Sequence, residues 1–231
     1  MNPKTKSFLM IMVVVFALML IFIQREKEAK DMKNSDSIQN VKLPHPAKKG
    51  DMSLEEAISK RRSYRFYKEK ALSQEQLSQI LWAAQGVTEQ SRKSRSVPSA
   101  GALYPLEIYV VSEEGLYRYL SNSHSLEKLS GENLKVSLCD AAGAQECIAA
   151  APADIVIVAA YERTTGKYGE RGIRYVHMEA GHAAENIQLQ AVVLGLGSVT
   201  IGAFSDEDVA KVLSLAPEYI PLYIIPIGYT K

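Results

Sequence analysis

Apolar residues divide the chain into an N-terminal apolar run, a polar segment and a domain of mixed pattern. Residues 8–23 are sixteen consecutive apolar residues, with Lys4 and Lys6 before them and Arg25 after them. This run lacks the polar stripe of a globular helix, and about 24 Å of helix nearly crosses a hydrocarbon core of roughly 30 Å. Residues 1–24 are therefore predicted to be an uncleaved transmembrane anchor, with a cleaved signal sequence as the alternative.

The short basic N-terminus favours an extracytoplasmic domain, although basic residues flank both ends of the apolar run. A single-pass, membrane-anchored location is therefore expected. Residues 25–50 are polar and contain Pro44 and Pro46, a composition that predicts a flexible tether. The folded domain is accordingly expected to occupy residues 51–231.

Capping patterns predict two helix starts in this domain. Ser53 is followed three residues later by Glu56, and Ser73 by Gln76, which is the spacing of a capping box. Gly86 is expected to follow the second of these helices as its C′ residue. Further helices are expected at residues 140–149, 179–194 and 206–213.

The remaining apolar segments predict a sheet. Residues 154–160 (DIVIVAA) form an apolar run of strand length, which predicts a central strand covered on both faces. Other strands are expected at residues 106–112, 115–120, 198–201 and 220–227, the last ending at Pro226. Because strands and helices intermix without strict alternation, the predicted fold class is α+β (mixed α/β), with a central sheet flanked by helices.

Charge and motif content argue against several functions. The chain has 27 basic and 26 acidic residues and a formal net charge of +1, so no broad positive field is available for nucleic acid. The sequence has no GxGxxG, P-loop or GxSxG pattern, which argues against a dinucleotide site, a P-loop and a serine hydrolase. His177 and His182 lack the spacing of a metal site, so no metal is expected. Any anion site must therefore be local.

Two charged segments could carry chemistry. Residues 61–65 (RRSYR) place three guanidinium groups and a serine hydroxyl within five residues, a combination that suits phosphate. The alternative for this segment is a solvated helix end whose arginines complement the helix dipole. Lys167 and the adjacent Tyr168 could supply a cation and a proton donor or acceptor. The alternative for that pair is an ordinary charged loop before a helix.

Two segments of small residues could approach a planar ligand. Residues 97–105 (VPSAGALYP) place small side chains between two prolines, where the backbone can come close to a ligand. Residues 195–204 (GLGSVTIGAF) alternate glycine and apolar residues and could form a flat wall. An ordinary loop and a strand packed in a tight corner are the respective alternatives.

In this order, the segments RRSYR, PSAGALYP and GLGSVTIGAF and the closing PIG resemble the nitroreductase superfamily. The segment KYGERGIRY, followed by EAGHAAEN, resembles its SagB-type branch, which includes the azoline dehydrogenases that make thiazoles and oxazoles in peptides. The resemblance covers residues 52–229. It implies a nitroreductase-like sheet, an intertwined homodimer and an FMN-dependent oxidoreductase. The implied reaction is two-electron redox on a small organic or peptide-derived substrate, with an unidentified electron donor or acceptor.

The resemblance also assigns residues to the site. The FMN phosphate and ribityl chain are expected to contact Arg61, Arg62, Ser63 and Arg65. The loop expected to reach the flavin of the partner subunit supplies Pro98, Ser99, Ala100, Gly101 and Leu103. The isoalloxazine ring is expected to lie along Ile201, Gly202 and Ala203. The catalytic candidates, implied to remove a proton from the substrate, are Lys167 and Tyr168. The alternatives are a membrane-tethered binding module that lost the flavin, and a protein that consumes flavin as its substrate.

Overall fold

A seven-stranded antiparallel sheet organises residues 40–231, the part of the chain that the computed structural model describes. The strands are β1 (Asn40–Lys42), β2 (Val87–Glu89), β3 (Ser94–Arg95), β4 (Leu106–Ser112), β5 (Gly115–Leu120), β6 (Ser125–Ser130), β7 (Ala153–Ala160), β8 (Gly197–Ser198) and β9 (Tyr219–Gly228). The large sheet has the order β1-β6-β5-β4-β7-β9-β8, and β2 and β3 form a separate hairpin.

Seven α-helices accompany these strands within the described residues. They are α1 (Leu54–Lys60), α2 (Gln74–Gln85), α3 (Lys135–Ala141), α4 (Glu146–Ala150), α5 (Glu162–Tyr168), α6 (Arg171–Val193) and α7 (Asp206–Val212). Helices α2 and α6 pack on one face of the sheet, and α3, α4 and α7 pack on the other. This arrangement confirms the predicted α+β class, a central sheet flanked by helices.

Strand β7 is the centre of the sheet, as its apolar run predicted. It pairs with β4 on one side and β9 on the other, and every one of its residues is buried. Ile155 and Ile157 face the layer of α2 and α6, whereas Val156 and Val158 face the opposite layer. Because side chains alternate along the strand, residues 155–160 contribute apolar side chains to both cores. The buried Asp154 is the exception, and it is paired with the Lys135 ammonium at 2.8 Å.

Serine caps fix the starts of three helices. The Ser53 hydroxyl accepts a hydrogen bond from the Glu56 backbone N–H at 3.1 Å, and Ser73 and Gln76 form a reciprocal capping box. Ser205 caps α7 in the same way. Gly86 differs from the prediction, because it is the C-cap of α2 with an extended φ of −68°. A Cβ there would lie 2.3 Å from Cδ1 of Trp82, so close packing rather than a left-handed backbone requires this glycine.

Residues before Asp51 also belong to the folded unit. Strand β1 pairs with β6, Leu43 is buried, and the Gln79 amide bonds to both the N–H and the carbonyl of Ala47 at 2.8 and 3.0 Å. Composition had assigned these residues to a tether. These residues are held in place by contacts with β6 and Gln79, which are distant in sequence and which local composition does not reveal.

Other element bounds differ from the predictions for local reasons. The helix expected at residues 140–149 is divided into α3 and α4, because Gly143 and Ala144 have φ values of 69° and 58°. Strand β9 continues through Pro226, which lies opposite Asp154. Helix α6 begins at Arg171, eight residues before the expected start, and Lys167 and Tyr168 lie on α5 rather than in a loop.

The predicted transmembrane helix requires correction. Within residues 40–231 no helix is sufficiently long and apolar to cross a membrane. The longest, α6, carries Arg171, Arg174, Glu179 and Glu185. Its mixture of charged and buried apolar residues is typical of an amphipathic helix that packs on a sheet. The expected membrane-spanning helix and the membrane-anchored location based on it therefore find no support among the described residues. The apolar run at residues 8–23 lies outside the described residues.

Candidate active site

The arginine-rich segment after α1 lies alongside the segment after β8. The Tyr64 N–H donates to the Ser198 carbonyl at 3.0 Å, and Ser63 and Ser198 form a parallel bridge. Gly197 permits this approach, since a Cβ there would lie 2.8 Å from Cβ of Tyr64 and 2.5 Å from Cγ2 of Thr230. The structure therefore brings RRSYR together with GLGSVTIGAF, and residues 61–65 with 198–203 are called the arginine cluster below.

A buried glutamine connects the two parts of the arginine cluster. Gln188 on α6 accepts a hydrogen bond from a terminal guanidinium nitrogen of Arg61 at 3.1 Å through its Oε1. Its Nε2 donates to the Thr200 hydroxyl, also at 3.1 Å. Glu185 lies 3.9 Å from Nε of Arg61. Because Gln188 is buried, its amide holds Arg61 at a fixed position relative to Thr200 and the following Ile201.

The other members of RRSYR have different environments. Arg62 donates to the carbonyls of Ser59 at 3.0 Å and Arg61 at 2.7 Å, which completes the end of α1 as in the alternative interpretation of this segment. Ser63 and Arg65 are exposed. The cluster thus presents a half-buried guanidinium at Arg61, two exposed guanidinium groups and a hydroxyl on one short segment.

Near its end, the GLGSVTIGAF segment has accessible backbone. Ile201 is buried and exchanges two hydrogen bonds with Ile224 at 2.8 and 2.9 Å, whereas Gly202 and Ala203 are exposed. Gly202 lies over Tyr223, since a Cβ there would be 3.6 Å from a carbon of that ring. The donor set fits FMN, because guanidinium groups suit its phosphate and an exposed glycine backbone suits its planar ring.

The PSAGALYP loop adopts a strained turn. Gly101, Ala102 and Tyr104 have positive φ values of 63°, 54° and 47°. The Ser99 hydroxyl accepts a hydrogen bond from the Tyr104 N–H at 2.9 Å, and the Ser99 carbonyl accepts one from Ala102 at 3.0 Å. Left-handed residues other than glycine cost about 1–2 kcal/mol each, so the surrounding structure must hold this conformation.

Lys167 and Tyr168 contact this loop within the same chain. A Cβ on Gly101 would lie 2.9 Å from the Tyr168 hydroxyl and 3.0 Å from Nζ of Lys167. The Lys167 ammonium is 5.4 Å from the centre of the Tyr168 ring, and that ring packs edge-on against Tyr175. Residues 98–104 with Lys167 and Tyr168 are called the lysine cluster below.

The chain therefore holds two groups of site residues rather than one continuous site. Glu179 of α6 lies near Ser99 of the lysine cluster, and Gln188 of the same helix bonds to Arg61 of the arginine cluster. Their separation of nine positions corresponds to about 14 Å along the helix axis. Within residues 40–231 no group of three or more His, Cys, Asp or Glu side chains has the arrangement of a metal site.

Sequence reasoning missed Gln188, Gln85 and the positioning contacts of Glu179. Each is a polar residue on a helix face that is otherwise apolar or small, and each is buried. A buried polar group needs a partner, so a polar residue in an apolar helix stripe was the signal available in the sequence.

The sequence model of the nitroreductase family matches residues 58–229. The chain belongs to the nitroreductase family. It is 47% identical over 184 residues to a candidate nitroreductase of Methanocaldococcus jannaschii, covering 77% of this chain and 91% of that protein. It is 30% identical over 132 residues to the microcin B17-processing protein McbC of Escherichia coli, covering 52% of this chain and 48% of McbC.

Solved nitroreductase structures have the same fold. The crystal structure of a candidate nitroreductase from Ralstonia eutropha superposes with a TM-score of 0.78 at 30% identity, covering 85% of this chain and 91% of the other. An FMN-dependent nitroreductase from Clostridium difficile has a TM-score of 0.56 at 27% identity, covering 76% of this chain and 86% of the other. The nitroreductase-like sheet expected from the sequence is thereby confirmed, and the chain is a nitroreductase-family oxidoreductase.

Proposed function

We propose that this protein is an FMN-dependent oxidoreductase that works as a homodimer on a small organic or peptide-derived substrate. The observation that carries the proposal is the pairing of the four segments into two clusters. One cluster has the groups needed to hold a phosphate and a planar ring, and the other has groups able to move a proton. Together they comprise the parts that a flavin enzyme must supply.

The arginine cluster is proposed to bind FMN. Arg61, held by Gln188, would meet the phosphate with a guanidinium already oriented, while Ser63 and Arg65 supply further donors from an exposed segment. Arg62 would contribute charge while its donors complete α1. The exposed backbone of Gly202 and Ala203, with Ile201 behind it, would lie along the isoalloxazine ring. When bound, FMN supplies the capacity to accept or donate two electrons.

The lysine cluster is proposed to handle the substrate. Lys167 and Tyr168 offer an ammonium and a phenol within contact of Gly101, so one can hold or move a proton while the other stabilises its charge. Similarity to McbC, a microcin-processing protein, supports a SagB-type dehydrogenase acting on a peptide-derived substrate. Greater similarity to a candidate nitroreductase over most of the chain favours a small organic substrate as the other option.

A homodimer is proposed because the two clusters of one chain lie apart along α6, and a second copy can bring complementary residues to each of them. A second copy could place its residues 98–103, including Pro98, Ala100 and Leu103, beside the arginine cluster of the first. Two FMN sites would then lie between the subunits, as the resemblance implies.

The proposal is tested with the full-length purified protein. A yellow protein with an absorbance band at about 450 nm, which is typical of an oxidised flavin, is expected. Replacing Arg61 and Arg65 together by alanine should remove the flavin and leave the circular dichroism spectrum unchanged. Arg92→Ala is the matched control, because that side chain is 81% exposed and lies in the β2–β3 turn. A colourless wild-type protein that ignores added FMN would support the alternative of a binding module that lost the flavin.

A further inference from the structure

A buried carboxylate lies behind the strained loop of the lysine cluster. Glu179 on α6 is only 3% exposed, and its Oε1 accepts a hydrogen bond from Nε2 of Gln85 at 3.3 Å. The Ser99 hydroxyl also lies near this carboxylate, where it lowers the pKa of Glu179. A charged group that is removed from water needs such partners, so this arrangement is a specific feature of the fold.

Gln85 extends the network to the other end of the loop. It is completely buried on α2, and its Oε1 accepts a hydrogen bond from a terminal guanidinium nitrogen of Arg95 at 3.2 Å. Arg95 in turn stacks over the ring of Tyr104 at 4.5 Å, and its N–H donates to the Tyr104 hydroxyl at 3.2 Å. Both sides of the loop are therefore connected to one carboxylate.

The two branches meet at Tyr104. The Ser99 hydroxyl, which lies near Glu179, accepts a hydrogen bond from the Tyr104 N–H at 2.9 Å. Arg95, which is connected to Glu179 through Gln85, contacts the Tyr104 side chain. Between these fixed points lies Gly101, the residue in contact with Lys167. The loop contains several left-handed residues. Such a strained conformation persists only when several independent contacts with the surrounding structure hold it in place.

We infer that Glu179 is a positioning residue of the active site, which holds residues 98–104 in the conformation that places Gly101 against Lys167 and Tyr168. The expected effect on turnover rests on the proposed function. The effect on loop conformation is independent of any flavin, because each contact described lies within the protein itself.

Hydrogen exchange of the full-length protein tests this inference directly. In Glu179→Leu the backbone amides of residues 96–104 should exchange at least tenfold faster than in wild type, while amides of β7 keep their protection. Glu179→Gln keeps an oxygen able to accept from Gln85 and should recover most of the protection. Asn186→Ala is the control, because Asn186 also connects α6 to α2, through the Ala83 carbonyl at 3.2 Å, without contacting the loop.

Turnover provides the second measurement. We expect about a tenfold lower kcat in Glu179→Leu at unchanged FMN content, and values near wild type for Glu179→Gln and Asn186→Ala. If Glu179→Leu fails to fold, Gln85→Leu removes the branch to Arg95 and should show the same local increase in exchange.

Unchanged exchange in residues 96–104, or an equal increase in the Asn186 control, would overturn the positioning role. A colourless wild-type protein would instead contradict the proposed function and leave the exchange result interpretable.

Discussion

Gly101 and Lys167 are in contact, although they are 66 positions apart in the sequence. The space above the Gly101 Cα is so limited that a Cβ would lie 3.0 Å from Nζ of Lys167. The loop and the α5 helix thus determine one another's position. This contact gives the lysine cluster a geometry that substitutions can test.

We expect Gly101→Ala to reduce turnover at least tenfold. The added methyl group must displace the Lys167 or Tyr168 side chain, and alanine at a φ of 63° adds strain of about 1–2 kcal/mol. Gly143→Ala is the control, since Gly143 has a φ of 69° and open space around it. Thermal unfolding should show similar destabilisation in both variants. Equal turnover in the two variants would show that the Gly101 contact has no catalytic consequence.

Lys167→Ala should retain the flavin absorbance and lose turnover by about a hundredfold or more, the typical contribution of a positioned proton-transfer group. The physical reason is that Lys167 lies in the lysine cluster and contacts none of the residues proposed to hold the phosphate. Lys211→Ala, which removes an exposed lysine paired with Glu207 on α7, serves as the comparison. Turnover at the wild-type rate with an authentic substrate would remove Lys167 from the catalytic assignment.

Gln188→Leu should weaken FMN binding about tenfold, because a hydrogen bond to a charged group contributes about 1.5–3 kcal/mol. The change leaves Arg61 without the oxygen that orients it and removes the partner of Thr200. Gln190→Leu on the same helix is a matched control, since Gln190 accepts from Gln79 instead. Flavin titration by fluorescence gives both affinities, and an unchanged value for Gln188→Leu would contradict the proposed preorganisation of Arg61.

Stability should depend on pH through Glu179. Burial is the largest influence on this carboxyl and raises its pKa above the ordinary value of 4.5. The nearby Ser99 hydroxyl, the hydrogen bond from Gln85 and the charge of Arg95 act in the opposite direction. The folded protein then holds this proton at a pH where the unfolded chain has released it. The protonation of Glu179 therefore contributes stability that is fully present below about pH 4.5, the pKa in the unfolded chain. This contribution is lost as the pH rises through the raised pKa of the folded protein.

Urea unfolding of wild type and Glu179→Gln from pH 4.5 to pH 8 measures this effect. Wild type should lose stability relative to the glutamine variant as the pH increases, because only wild type carries the titrating group. A difference that stays constant, or that changes in the opposite direction, would show that the pKa of Glu179 is not raised in the folded protein.

The sequence by itself determined the elements whose cause is local. The apolar run of β7 predicted a central strand, because the consecutive apolar residues 155–160 suit positions that are covered on both faces of the sheet. Ser73 and Gln76 predicted the start of α2, because a capping box is formed by residues three apart. The order of the four small or charged segments also indicated the family correctly, since each retains recognisable residue types.

Only the tertiary structure decided how these segments meet. Gln188 joins Arg61 to Thr200, Glu179 holds the loop through Gln85, and Gly101 contacts Lys167, all across long separations in the chain. Local patterns carry no information on such pairings, because they arise only when separate elements of the fold pack together. For the same reason residues 40–42, polar in composition, became a strand only by pairing with β6.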